Sequence, residues 1–156
     1  MKVVFLDIDG VLNSRKYDRT RDWKKQDDID ETRLPLVAQI IAATGAEIVL
    51  SSTWRQHWDK DASKCDEDGA YINGLFAAHG LRIYDKTPYL GLFAARREEV
   101  QGWLDECGAE VERYVIIDDY RFDWGDMAER LVVTNPIFGD GLESEHVEKA
   151  VALLND

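Results

Sequence analysis

A run of four apolar residues, Val3, Val4, Phe5 and Leu6, ends abruptly on Asp7, and Asp9 and Gly10 follow at once. No other feature constrains the fold as strongly. A short, uninterrupted, β-prone run predicts a strand buried on both faces, as in a parallel sheet. Asp7 then stands at the strand's carboxyl end, where open α/β sheets form their ligand crevice. Carboxylates at i and i+2 reach one site, and two like charges so close call for a cation. Oxygen-only donors select a hard divalent ion, Mg²⁺. Taken alone, Asp-x-Asp-Gly reads equally well as a surface turn.

Two more runs have the same form. Ile48, Val49 and Leu50 lead into Ser51, and Val115, Ile116 and Ile117 lead into Asp118 and Asp119. Two adjacent acids after a buried strand are costly unless paired or metal-bound. A hydroxyl at a strand end could donate to a phosphoryl oxygen or simply cap a helix. Ser51 is preferred for the first role, with Ser52 and Thr53 as alternates. Further strands are expected over 81–84 and 131–134.

Helical spacing appears three times: Leu34, Val37, Ala38 and Ile41; Val100, Trp103, Leu104 and Cys107; Val147, Ala150, Val151 and Leu154. These stripes are core faces, with Gly45 and Gly108 as stops. Pro35 is tolerable only in a first turn. Strands alternating with helices predict a three-layer, doubly wound parallel sheet. Residues 13–31 read as a long loop with a possible helical turn, and 55–70 as a second loop.

The length of 156 residues fits one domain spanning 1–156. No apolar run is long enough to span a bilayer, and no signal-peptide pattern opens the chain. Cys65 and Cys107 form no CxxC pair and read as small buried or half-buried hydrophobes. A reduced, cytoplasmic setting follows as the expectation. The net charge of −12, from 19 basic and 31 acidic residues, argues against a duplex-coating role. Against that background Arg15, Lys16, Arg19, Arg21, Lys24 and Lys25 gather positive charge in the first loop, diluted by Asp18, Asp22, Asp27 and Asp28, which suits a nucleotide or nucleic-acid end. Trp23, Trp54, Trp58 and Trp124 lie in or near the expected active face, where they either stack a base or pack a loop. His57, His79 and His146 have no metal-ligand spacing. Arg96 and Arg97 open the second helix, against its dipole, with Glu98 and Glu99 behind them.

In this order, DIDGV, a strand-end Ser, a basic residue on a later helix and IIDD resemble the haloacid dehalogenase (HAD) superfamily of phosphotransferases. DIDGVLN, LSSTWR, an Arg ahead of EV..WL, and VIIDD look closest to the small HAD domains of multidomain RNA-repair proteins. The resemblance implies Asp7 as nucleophile and Asp9 as general acid and base. It implies Mg²⁺ held by Asp7, the backbone carbonyl of Asp9, and Asp118, with Asp119 as ligand or orienter. Ser51 would bind the phosphoryl group. Arg96 would take the basic position, with Arg97 and Lys86 as alternates in a place where Lys is commoner. The second Asp of DxD speaks against dehalogenase chemistry. About 20 to 25 residues are free after the first segment, too few for a cap domain. An essentially capless, open-sited phosphatase acting on a nucleotide or a nucleic-acid 3′-phosphate is expected. The rival reading is a phosphate- or metal-binding module without turnover, acting as a partner subunit.

Overall fold

The three acid- or hydroxyl-tipped runs are neighbouring strands of one sheet. The computed structural model describes residues 1–156. Its strands are β1 (Lys2–Leu6), β2 (Glu47–Leu50), β3 (Ile83–Lys86), β4 (Arg113–Asp118) and β5 (Leu131–Val133). All pair in parallel, in the order β3-β2-β1-β4-β5. The helices are α1 (Arg15–Asp18), α2 (Leu34–Thr44), α3 (Glu67–Ala78), α4 (Arg96–Cys107) and α5 (Ser144–Asn155). No helix is long and apolar enough to cross a membrane.

The pleat divides each strand between two cores. Val4, Leu6, Ile48, Leu50, Val115 and Ile117 face one side, beneath Leu34, Val37 and Ile40 of α2, Ile72 and Phe76 of α3, and Val147, Ala150 and Leu154 of α5. Val3, Phe5, Val49 and Ile116 face the other, beneath Val100 and Trp103 of α4 and beneath Trp124 and Met127. Both faces of β1 are sealed, which is why its sequence is continuously rather than alternately apolar. Each such side chain contributes roughly 1.5–3 kcal/mol by leaving water. Trp103 adds an edge-to-face contact with Phe5 at 5.4 Å between ring centroids.

Pro35 falls in the first turn of α2, and Gly45 ends that helix with φ of 69°. The first connection, 13–31, carries only the short α1 and a 3-10 turn beginning at Glu31. No inserted cap domain covers the sheet end, as the spacing predicts. Three expectations need correction. Residues 67–78 form α3, where the apolar rhythm is broken by Gly69 and Gly74, two poor helix formers. β3 starts at Ile83 rather than Leu81, because Leu81 N still donates to Phe76 O in the turn that closes α3. Cys107 ends its helix exposed, while Cys65 is half-buried.

Candidate active site

β1 and β4 are adjacent, and the chain turns to opposite sides of the sheet from them: β2 and β3 lie beyond β1, and β5 beyond β4. A crevice opens where the connections diverge like this. Asp7 tips β1 and Asp118 ends β4. The Asp7 amide donates to Ile117 O at 3.1 Å, so the two acids stand side by side, 2% and 1% exposed. On the other flank Ser51 N donates to Leu6 O at 2.8 Å, which sets Ser51 beside Asp7. Asp119, next along, is exposed.

Arg96 opens α4 with no side-chain cap ahead of it. Its guanidinium turns back to the strand ends. Nη1 lies 3.0 Å from Asp7 Oδ1 and 2.9 Å from Asp118 Oδ2, and donates to Ser51 O at 2.8 Å. Burial, then the Asp118 charge, push the Asp7 carboxyl well above the usual range; Arg96 opposes them. Burial likewise raises Asp118, to about 6, against the pull of Arg96. Arg96 itself is raised: burial works against its charge, but Asp7 and Asp118 outweigh it.

One cation is therefore too few for this cluster. Carboxylate oxygens of Asp7, Asp118 and Asp119 lie within 4.8 Å of one another. Hard oxygen donors at that spacing, with the Asp7 and Asp118 carboxyls pushed up chiefly by burial, fit a divalent ion such as Mg²⁺. The Ser51 hydroxyl is buried beside them and has no hydrogen-bond partner. Buried hydroxyls are rarely left unpaired without a purpose.

The alternates are accounted for elsewhere. Ser52 Oγ accepts from Trp54 N and caps the 3-10 turn Thr53–Gln56. Arg97 donates to Trp124 O and pairs with Asp126. Lys86 Nζ donates to the carbonyls of Arg55 and Trp58, away from Asp7.

Asp9 stands apart from the carboxylate cluster. It is exposed, yet both its oxygens are held: Oδ1 by Asn13 Nδ2 at 2.9 Å and Oδ2 by Trp54 Nε1 at 3.1 Å. Gly10 turns the chain with φ of 85°, and a Cβ there would lie 2.4 Å from Asp119 Oδ2. Only glycine allows both the turn and that approach.

Sequence reasoning missed three supports. Asn13 orients Asp9, takes the Gly10 amide at 2.7 Å and donates to Asp28 O; its signal is the fourth place after Asp9 within DIDGVLN. Trp54, whose place in the sequence suggests stacking or loop packing, instead donates its indole N–H to Asp9. Arg55 and Glu99 form a buried ion pair joining the Ser51–Trp54 loop to α4, and nothing in the sequence pairs them. Trp58 and Trp124 are core residues, whereas Trp23 is exposed beneath the Arg21 guanidinium. Asp66 and Asp68 also lie against His57, and His146 lies against its chain neighbours Glu143 and Glu145.

Outside Asp9 and Asp119 a cleft of about 660 Å³ opens, walled by Asn13, Arg15, Arg19, Arg21, Trp54 and Ile137 among others. The first loop and the β5–α5 loop form its sides. No curated protein and no solved structure shows a significant match to this chain. A family model described as the HAD domain in Swiss Army Knife RNA repair proteins matches residues 3–147. With DxDG, Ser51, Arg96 and the Asp118–Asp119 pair converging at one sheet end, the chain belongs to that family of HAD domains.

Proposed function

We propose that residues 1–156 work as one HAD-type phosphatase domain, a Mg²⁺-dependent phosphomonoester hydrolase using an aspartyl-phosphate intermediate. Family membership supports a phosphatase-type hydrolase in general terms. The observation that carries the finer reading is Arg96 Nη1 held between Asp7 and Asp118, beside the unpartnered Ser51 hydroxyl. This arrangement supports Arg96 as the basic residue, Asp7 as the nucleophile and Ser51 as the phosphoryl-binding hydroxyl.

An Asp7 oxygen attacks phosphorus, and the ester oxygen leaves with a proton from Asp9. Asp9 then takes a proton from water, whose oxygen attacks the acyl phosphate and frees Asp7. Asn13 and Trp54 fix the Asp9 carboxylate for both duties. Ser51 Oγ donates to a phosphoryl oxygen, and Arg96 balances charge on the nucleophile and the transferring group. Mg²⁺, when held by Asp7, the Asp9 carbonyl, Asp118 and Asp119, would offset the repulsion between anionic nucleophile and anionic phosphate. The exposed, unpaired Arg15 and Arg19 of the first loop and the open site favour a nucleotide or a nucleic-acid 3′-phosphate as substrate.

Phosphate release from an aryl phosphate, 3′- and 5′-mononucleotides and 3′-phosphorylated oligonucleotides, with and without Mg²⁺, tests this reading. Asp7→Asn should reduce release by at least about 10³-fold. Release that is equal in wild type and variant would remove Asp7 from its role. If Mg²⁺ raises the melting temperature and no substrate turns over, the domain is a binding module.

A further inference from the structure

The cleft outside Asp9 is polarised along its length. Asp9 and Asp119 line its inner end, and every cation lining it is an arginine of the first loop: Arg15, Arg19 and Arg21. These arginines do not share one fate. Arg21 is engaged, bonded to Asp28 at 2.8 Å, near Asp18 at 3.9 Å, and stacked on Trp23. It thereby occupies both acids of the outer wall. Arg15 and Arg19 make no side-chain hydrogen bond or ion pair anywhere in the structure, although the chain carries far more acids than bases. They are i and i+4 around α1, so both heads point to one side.

Their frame is fixed relative to the reactive end. Ser14 caps α1 by accepting from Tyr17 N, and Arg15 N donates to Pro136 O at 2.9 Å across the cleft. Asn13, one residue before the cap, bonds Asp9 itself. Tyr17 OH donates to Asp27, and Asp30 N donates to Leu12 O, closing the loop's return. Two free guanidiniums on a bonded frame, facing a cleft large enough for a nucleotide, suit an anion. The three buried-site groups, Asp7, Ser51 and Arg96, do not line this cleft. An anion held at its outer end is therefore distinct from the one at Asp7.

We infer that Arg15 and Arg19 form a second phosphate subsite, so that the preferred substrate carries another phosphate on the leaving-group side of the scissile one. The inference rests on the hydrolase reading for the place of the scissile phosphate. The second phosphate is either the backbone phosphodiester of an oligonucleotide end or the other phosphate of a nucleoside bisphosphate.

Steady-state hydrolysis of three probes tests it: an aryl phosphate, a nucleoside 3′,5′-bisphosphate and a 3′-phosphorylated dinucleotide. In wild type, kcat/KM for at least one two-phosphate probe should exceed that for the aryl phosphate. In the Arg15→Ala/Arg19→Ala double variant that preference should fall by about tenfold or more, mainly through KM. The salt dependence of KM should become shallower as phosphate contacts are lost. Whichever probe loses its advantage identifies the source of the second phosphate. A variant that affects all three probes alike, or none, overturns the subsite. Binding of a fluorescent 3′-phosphorylated dinucleotide to Asp7→Asn, with and without the two arginines, separates the two readings. Binding that weakens about tenfold without Arg15 and Arg19, in a protein whose wild type releases no phosphate, keeps the subsite and removes the hydrolase. Binding unchanged by the double substitution removes the subsite whatever the turnover.

Discussion

Two arginines grip neighbouring carbonyls of one loop. Arg96 donates to Ser51 O, and Arg55 donates to Ser52 O. Their surroundings differ in charge balance. Arg55 meets a single acid, Glu99, with both side chains about 5% exposed, and Glu99 also accepts from Leu90 N. That pair is neutral and sealed. Arg96 meets Asp7 and Asp118 directly and feels Asp119, and it is 27% exposed. That cluster is short of positive charge, and although Asp7 and Asp118 are buried, Arg96 and Asp119 reach solvent. Arg96 and Glu99 sit one turn apart on α4, so a single helix serves both. One end of the turn braces the loop, and the other faces the acids at the strand ends.

The comparison breaks first at Arg96. Arg96→Ala should lower phosphate release by about 10³-fold, on the scale of removing an arginine that stabilises a transferring phosphoryl group. Arg96→Lys should recover part of it, since a point charge suffices for the carboxylates while the guanidinium's added hydrogen bond to Ser51 O is lost. A wild-type rate in Arg96→Ala would move the basic role elsewhere. Glu99→Ala should act the other way round. Leaving the buried Arg55 unpaired should cost about 3–5 kcal/mol of unfolding free energy in a denaturant titration. At temperatures where that variant is folded, its Mg²⁺ dependence should persist. Loss of Mg²⁺ response with full stability would erase the distinction between brace and centre.

A smaller effect sharpens the brace. Gly69, in the first turn of α3, lets the helix lie against the loop: an added Cβ would sit 2.0 Å from His57 O. Gly69→Ala should therefore destabilise by about 1–3 kcal/mol despite alanine's better helix propensity. A rise in melting temperature would show that the loop yields freely.

These regions were unequally legible. A buried parallel strand is written as a continuous apolar stretch, so β1, β2 and β4 stood out, with the acids and Ser51 at their tips. Arg96 and Arg97 could not be separated by sequence. Neighbours on a helix diverge by about 100°, and only the placement of α4 against the sheet decides which faces Asp7. α3 was hidden because packing against His57 O demands a glycine where propensity disfavours one. The partners of Asp9 and of Arg55 are tertiary. Trp54 lies 45 residues from Asp9, and Glu99 lies 44 from Arg55. No local pattern encodes such distances.

The finest test of the charge imbalance is stability against pH. Asp118 binds its proton with a folded-state value of about 6, raised from 3.8 chiefly by burial, and Asp7 is raised as well. Between those values the folded protein holds protons that the unfolded chain has released. Stability from these groups is therefore fully present below about 4 and is lost as pH rises through 6. Acids that fold with lowered values, among them Asp27 and Asp126, give the opposite slope, but below the ordinary carboxylate range. In chelator, the melting temperature should thus fall between pH 5 and pH 7. In saturating Mg²⁺ the slope should reverse, because the ion binds only the ionised cluster and stabilises it more as protons leave. Asp118→Asn should flatten the chelator slope. Equal slopes with and without Mg²⁺ would mean that Arg96 alone balances the cluster, and the contrast with Arg55 would lose its chemical meaning.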